Sequence, residues 1–202
     1  MKKALENRFG AHRVHELETT EGEIPLLMLD LELKTTVTIL MTNGLSDYKM
    51  PVPEKMAGLE YNELFFCLPS YWEWEDRTNT AMNWVFDWIQ KLAKYVVERQ
   101  TWFGHGHTLP TNKNMDSLSP TMKQNHLILL NPILLEDELS AIKVDDKMIN
   151  FLAIVPIFAD EMDYKQGKGT LKFIQKLQSR GVNEKLDDFR ATTLQSRWKI
   201  RF

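Results

Sequence analysis

Leu27, Leu29, Leu31 and Leu33 alternate with Met28, Asp30, Glu32 and Lys34. A period of two puts the leucines on one side of an extended chain, which is the pattern of a strand with one buried face. Such a strand needs partners for its backbone. Thr36–Met41 is rich in β-branched residues and pairs near it, and Glu63–Leu68 reads as a strand buried on both faces until Pro69 stops the ladder. His126–Leu130 and Lys147–Ile157 read as later strands, Leu139–Val144 joins the second as a hairpin through Asp145-Asp146, and a short extended piece lies at Val14–Leu17.

Helical periodicity is strongest from Thr78 to Glu98, where Ala81, Val85, Trp88, Leu92, Tyr95 and Val96 share one face. That face packs on the sheet. A first helix over Lys3–Phe9 ends at Gly10, which suits a left-handed cap. A late one over Leu171–Gln178 has Thr170 as N-cap and Gly181 beyond its end. Phe103 to Gln124 is rich in Gly, Pro, Thr, Asn and Ser and reads as a long loop. The fold class is α+β.

At 202 residues, 43% hydrophobic and 26% charged, the composition fits one globular domain or two small lobes sharing a core. A formal net charge of −3 provides no overall basic field for phosphates, so no direct nucleic-acid partner is expected. The single cysteine, Cys67, sits inside the apolar run Leu64-Phe65-Phe66-Cys67-Leu68, which rules out a disulfide framework and fits a reducing compartment. Met1 to Arg8 lacks the apolar stretch of a secretory signal, and no run reaches membrane-spanning length. The expectation is a cytoplasmic protein that engages no membrane.

Thr42-Asn43-Gly44-Leu45-Ser46, with Met50 and Pro51 following, resembles the strand-to-loop signature of suppressor of fused domains, Thr-x-Gly-x-Ser and then Met and Pro. Glu63-Leu64-Phe65-Phe66-Cys67-Leu68-Pro69-Ser70-Tyr71-Trp72 is similar to the family's Glu-Leu, apolar strand, Leu-Pro, Trp pattern. The helix with Trp84, Leu92, Ala93 and Tyr95, the segment Gly104-His105-Gly106-His107-Thr108, and Phe151 to Ile157 with Pro156 and Glu161 also look like that family, in the same order. The correspondence runs from about Phe9 to Asp188 and matches the amino-terminal lobe of the two-lobed animal relatives.

The resemblance implies a mixed, mostly antiparallel sheet flanked by helices, a single such domain over residues 1–202, and no known catalytic activity. Stand-alone bacterial members look like immunity proteins that bind and neutralise toxins. The animal relatives grip a transcription-factor peptide between two lobes, the peptide adding as a strand. The expected function is therefore non-enzymatic protein binding, with a cognate toxin as the first partner and a peptide or scaffold bound by strand addition as the alternative.

Taken by themselves, the residues of the Thr42–Pro53 loop do turn chemistry: Gly44 allows a positive φ, Asn43 and Ser46 bond nearby backbone, and the prolines fix the exit. His105, His107 and His126 invite a metal reading, but no cysteine lies close and the His-Gly-His spacing fixes no second-shell partner, so no metal or cofactor is expected. Gly167-Lys168-Gly169-Thr170 reads as a turn plus a cap, because Asp163 stands where a phosphate-binding loop has its first glycine. Ser46 lacks the second glycine of a nucleophile elbow, Cys67 is hidden among apolar residues, and Asp160, Glu161 and Asp163 read as a solvated loop. No catalytic residue is assigned.

Ser70-Tyr71-Trp72-Glu73-Trp74-Glu75-Asp76 is the most interface-like segment. A tryptophan buries about 150–250 Å², worth roughly 4–6 kcal/mol before costs at about 25 cal/mol per Å². Trp72, Glu73, Trp74, Glu75 and Asp76 are accordingly the candidate partner contacts, set against a reading in which Trp72 packs into the core. The acids also suit the N-terminal dipole of the following helix. With Glu136-Asp137-Glu138 and Asp187-Asp188 they would speed encounter with a basic toxin and lose effect in salt.

Overall fold

The computed structural model describes residues 1–33 and 36–195. In chain order the elements are α1 (Lys2–Phe9), β1 (Val14–Glu16), β2 (Leu26–Glu32), β3 (Thr36–Thr42), β4 (Tyr61–Pro69), α2 (Trp84–Glu98), β5 (Thr108–Pro110), β6 (His126–Leu130), β7 (Ile142–Val144), β8 (Lys147–Ile157), α3 (Ala159–Lys168) and α4 (Thr170–Ser179). The strands form one sheet in the order β1-β2-β3-β4-β8-β6-β5, with β7 also paired to β8. Among the paired strands of the described residues, β4 and β8 run parallel, Glu63 opposite Phe151, and the helix α2 lies in the crossover between them. The other pairs are antiparallel, so the sheet is mixed and mostly antiparallel as expected.

Both faces of the sheet are covered. On one, Met28, Leu40, Phe66, Leu129 and Ile154 meet Val85, Ile89, Leu92 and Val96 of α2. On the other, Leu27, Leu29, Ile39, Phe65, Ile128 and Val155 meet Leu5 of α1 and Phe173, Ile174 and Leu177 of α4. The leucine alternation in β2 therefore marks one face, but Leu26 and Met28 fill the other and the strand is not one-sided. Lys34, the last polar residue of that alternation, lies outside the described residues.

Several boundaries differ from the sequence expectation. The long helix begins at Trp84 rather than Thr78, because Asp76 and Asn79 side chains accept the N–H groups of Thr78 and Ala81 and hold that stretch in turns. Its buried face carries Ile89 and Ala93, while Tyr95 is 45% exposed and stacks on Phe103. The long loop contains the edge strand β5, with Leu109 opposite Leu127. Asp160, Glu161 and Asp163 lie on the helix α3, which the sequence reading took for a loop; Met162 and Tyr164 are its only large apolar side chains. Gly169, at φ 87°, joins α3 to α4, so Thr170 is the first helical residue of α4 and makes no cap. Asp145, at φ 51°, supplies the positive backbone angle that lets Asp145-Asp146 close the hairpin between β7 and β8. Among the described residues no helix is long and apolar enough to cross a membrane.

Candidate functional site

Glu63 stands on β4 with 0% exposure, and the signature loop folds around its carboxylate. Thr42, at the end of β3, donates its hydroxyl across 2.5 Å and in turn accepts the N–H of Leu64 at 2.9 Å. The N–H groups of Gly44, Leu45 and Ser46 and the Ser46 hydroxyl also donate to Glu63, between 2.7 and 3.2 Å. Gly44 reaches this geometry at φ 139°, where a side chain would be strained. Burial pushes the Glu63 carboxyl above its ordinary range, while these donors favour the anion. Met50 is buried beside this loop, its sulfur 3.5 Å from the Phe103 N–H.

A second carboxylate, Glu161 on α3, is also fully buried. Arg190 grips it with two 2.8 Å bonds and donates to the Pro156 carbonyl at 2.8 Å, which joins two signature positions through a third residue. Glu161 also accepts the N–H groups of Phe158 and Thr193. Burial alone would raise this carboxyl; Arg190 and the backbone donors hold it below its ordinary range. Glu184 is a third case, 1% exposed, accepting the N–H groups of Ile133, Leu134 and Leu135. Sequence reasoning missed Arg190 and Glu184, since their partners lie 29 and about 50 positions away. Each of the three carboxylates holds a segment distant in sequence in place: Glu63 the loop 44–46, Glu161 the segment 190–193, and Glu184 the turn 133–135.

At the end of β4, Pro69 accepts the Trp72 N–H, and the chain enters the acid-rich segment. Trp72 is 4% exposed, meets Trp84 edge-on at 6.0 Å and donates its indole N–H to the Met82 carbonyl. It packs into the core. Trp74 is half-buried against the same cluster, whereas Glu73, Glu75 and Asp76 are exposed. Asp76 accepts the Thr78 N–H and hydroxyl, which lowers its carboxyl below the usual range and assigns it to a turn instead of a helix dipole. Tyr71, which the sequence reading did not single out, is 46% exposed and donates its hydroxyl to Asp188 at 2.6 Å. Phe189 is 80% exposed, with its ring 6.2 Å from that of Tyr71.

The histidines have separate partners. His105 Nδ1 accepts the Asn131 N–H, the His107 ring lies 4.3 Å from Trp102, and His126 Nδ1 is 2.8 Å from Asn125 Oδ1. Burial holds all three below their ordinary pKa. Among the described residues no three His, Cys, Asp or Glu side chains come together as metal ligands. Ser46 is bound to Glu63, and burial pushes the Cys67 thiol up to about 12.

None of the curated proteins compared with the chain matches it in sequence. Among the solved structures that share its fold are three at 16% identity each. The crystal structure of the Sufu–Fu complex aligns with a TM-score of 0.66 over 95% of this chain and 90% of that one. Drosophila Suppressor of Fused aligns at 0.67 over 95% of this chain, which spans half of the Drosophila chain. A SUFU homologue from Neisseria gonorrhoeae FA 1090 aligns at 0.63 over 96% of this chain and 94% of that one. Residues 22–190 match the family described as Suppressor of fused protein (SUFU), and they include Thr42, Gly44, Ser46 and Glu63 of the first cluster and Pro156, Glu161 and Arg190 of the second. The chain belongs to the Suppressor of fused family.

Proposed function

We propose that this protein is a non-enzymatic, cytoplasmic protein-binding domain whose partner is a cognate bacterial toxin, which it binds and neutralises. The observation that carries the protein-binding reading is the fold shared over 95% of the chain with a protein solved in complex with Fu. The side-chain chemistry agrees with it. The buried carboxylates Glu63, Glu161 and Glu184 each hold backbone N–H groups, and the buried thiol of Cys67 is kept protonated. None of these groups is free to act on a substrate. The toxin reading rests on the family resemblance and on exposed acids at Glu73, Glu75 and Asp76, which complement a basic partner.

A second reading is peptide binding by strand addition. It is favoured by β5, an edge strand of three residues whose Thr108 and Leu109 are half-buried, with no further strand paired outside it among the described residues. Growth assays decide for or against the toxin. Expression of the protein encoded by the adjacent gene should arrest cells, and co-expression of this chain should restore growth. Arrest that persists at equal expression would contradict the immunity role.

A further inference from the structure

We infer that Tyr71 and Phe189, with the acids beside them, form the docking surface for an arginine-bearing segment of the partner; this rests on the protein-binding reading above. The chain brings together two acid groups far apart in sequence. Tyr71 leads into Glu73, Glu75 and Asp76, and its hydroxyl fastens it to Asp188, which stands between Asp187 and Phe189. Glu73, Glu75, Asp76 and Asp187 are exposed.

Phe189 is the most exposed large hydrophobic side chain among the described residues, at 80%, and Tyr71 beside it is 46% exposed. Two exposed rings side by side, rimmed by carboxylates, make the kind of patch that marks an interaction site. The complementary chemistry is guanidinium, which stacks flat on an aromatic face while its N–H fork reaches a carboxylate. Phe189 also walls a groove of about 590 Å³, lined further by Asp160 and Asp188. Among the described residues its cations are Lys123 and Arg190, and Arg190 is already bound to Glu161. A purely apolar guest would give the surrounding acids no counter-charge, and an acidic one would be repelled.

The test uses the intact chain and a fluorescent nonapeptide with four arginines, beside the same peptide with citrulline in their place. Amide resonances of residues 71–76 and 187–189 should shift with the arginine peptide and stay still with the citrulline one. Phe189→Ala combined with Glu73→Lys and Asp187→Lys should weaken binding about tenfold or more, the loss of a ring–guanidinium contact and ion pairs. The melting temperature should hold, because all three side chains are exposed. Shifts centred instead on Glu136, Asp137 and Glu138, or undiminished binding by the triple variant, would overturn the assignment. The two failures are distinct. A protein partner held equally well by parent and triple variant sinks this surface alone, whereas a chain that binds no protein sinks the protein-binding role and the partner's segment with it, even where the arginine peptide still shifts these resonances.

Discussion

Thr42 donates its hydroxyl to Glu63 across 2.5 Å while accepting the N–H of Leu64, and both side chains are completely buried. One threonine thus satisfies a carboxylate and a strand at once. Glu63→Ala leaves three N–H groups and two hydroxyls without their acceptor, so it should cost about 3 kcal/mol or more in unfolding free energy. Thr42→Val keeps the shape and should cost about 1–3 kcal/mol, and in a double-mutant cycle the two should couple by at least about 0.5 kcal/mol. Additive losses measured by urea denaturation would show that the bond contributes nothing of its own.

The Arg190–Glu161 pair makes the stability of the fold depend on pH. Because the folded-state pKa of Glu161 is lowered, its stabilisation is complete above the unfolded value of about 4.5 and fades as pH falls through the folded value. Arg190→Ala strands a buried carboxylate and should cost about 3–5 kcal/mol at neutral pH. Without the guanidinium, burial raises the Glu161 pKa, so this variant should recover part of its loss on acidification. Denaturation of parent and variant at pH 7 and pH 4 checks the sign, and a gap that widens at pH 4 would contradict it.

The tryptophans divide by burial. Trp72→Ala empties core space beside Trp84 and should cost about 3–5 kcal/mol. Trp74→Ala, half-buried, should cost less than half as much, as thermal unfolding of the two variants would register.

Cys67 lies on β4 with 0% exposure and a thiol pushed up to about 12. It should ignore a thiol-specific reagent at pH 8 in the folded chain and react fully in denaturant. Rapid labelling of the native protein would contradict this packing.

What was legible in the sequence depended on the distance over which each residue acts. β6 and β8 have the bounds that their apolar runs predict, and the Gly10 ending of α1 follows from a backbone angle that needs glycine. The start of α2 was misread because Asp76 and Asn79 act through local side-chain bonds that periodicity does not register. The amphipathic pattern of α3 is short, and its one buried residue, Glu161, is held largely by groups some thirty positions on, the Arg190 guanidinium and the Thr193 N–H. The signature residues Thr42, Gly44, Ser46 and Glu63 were picked out in sequence, but their convergence on one carboxylate needed the pairing of β3 with β4. The Tyr71–Phe189 pair was hidden for the same reason, its members lying on segments joined only by the fold.

A chain that works by binding another protein should carry that protein with it when purified from its native cells. The tagged chain should retain one protein in near-equal amount, encoded beside it, and should release part of it when the wash salt is raised. Recovery of the chain alone, or of many unrelated proteins in trace amounts, would contradict the account.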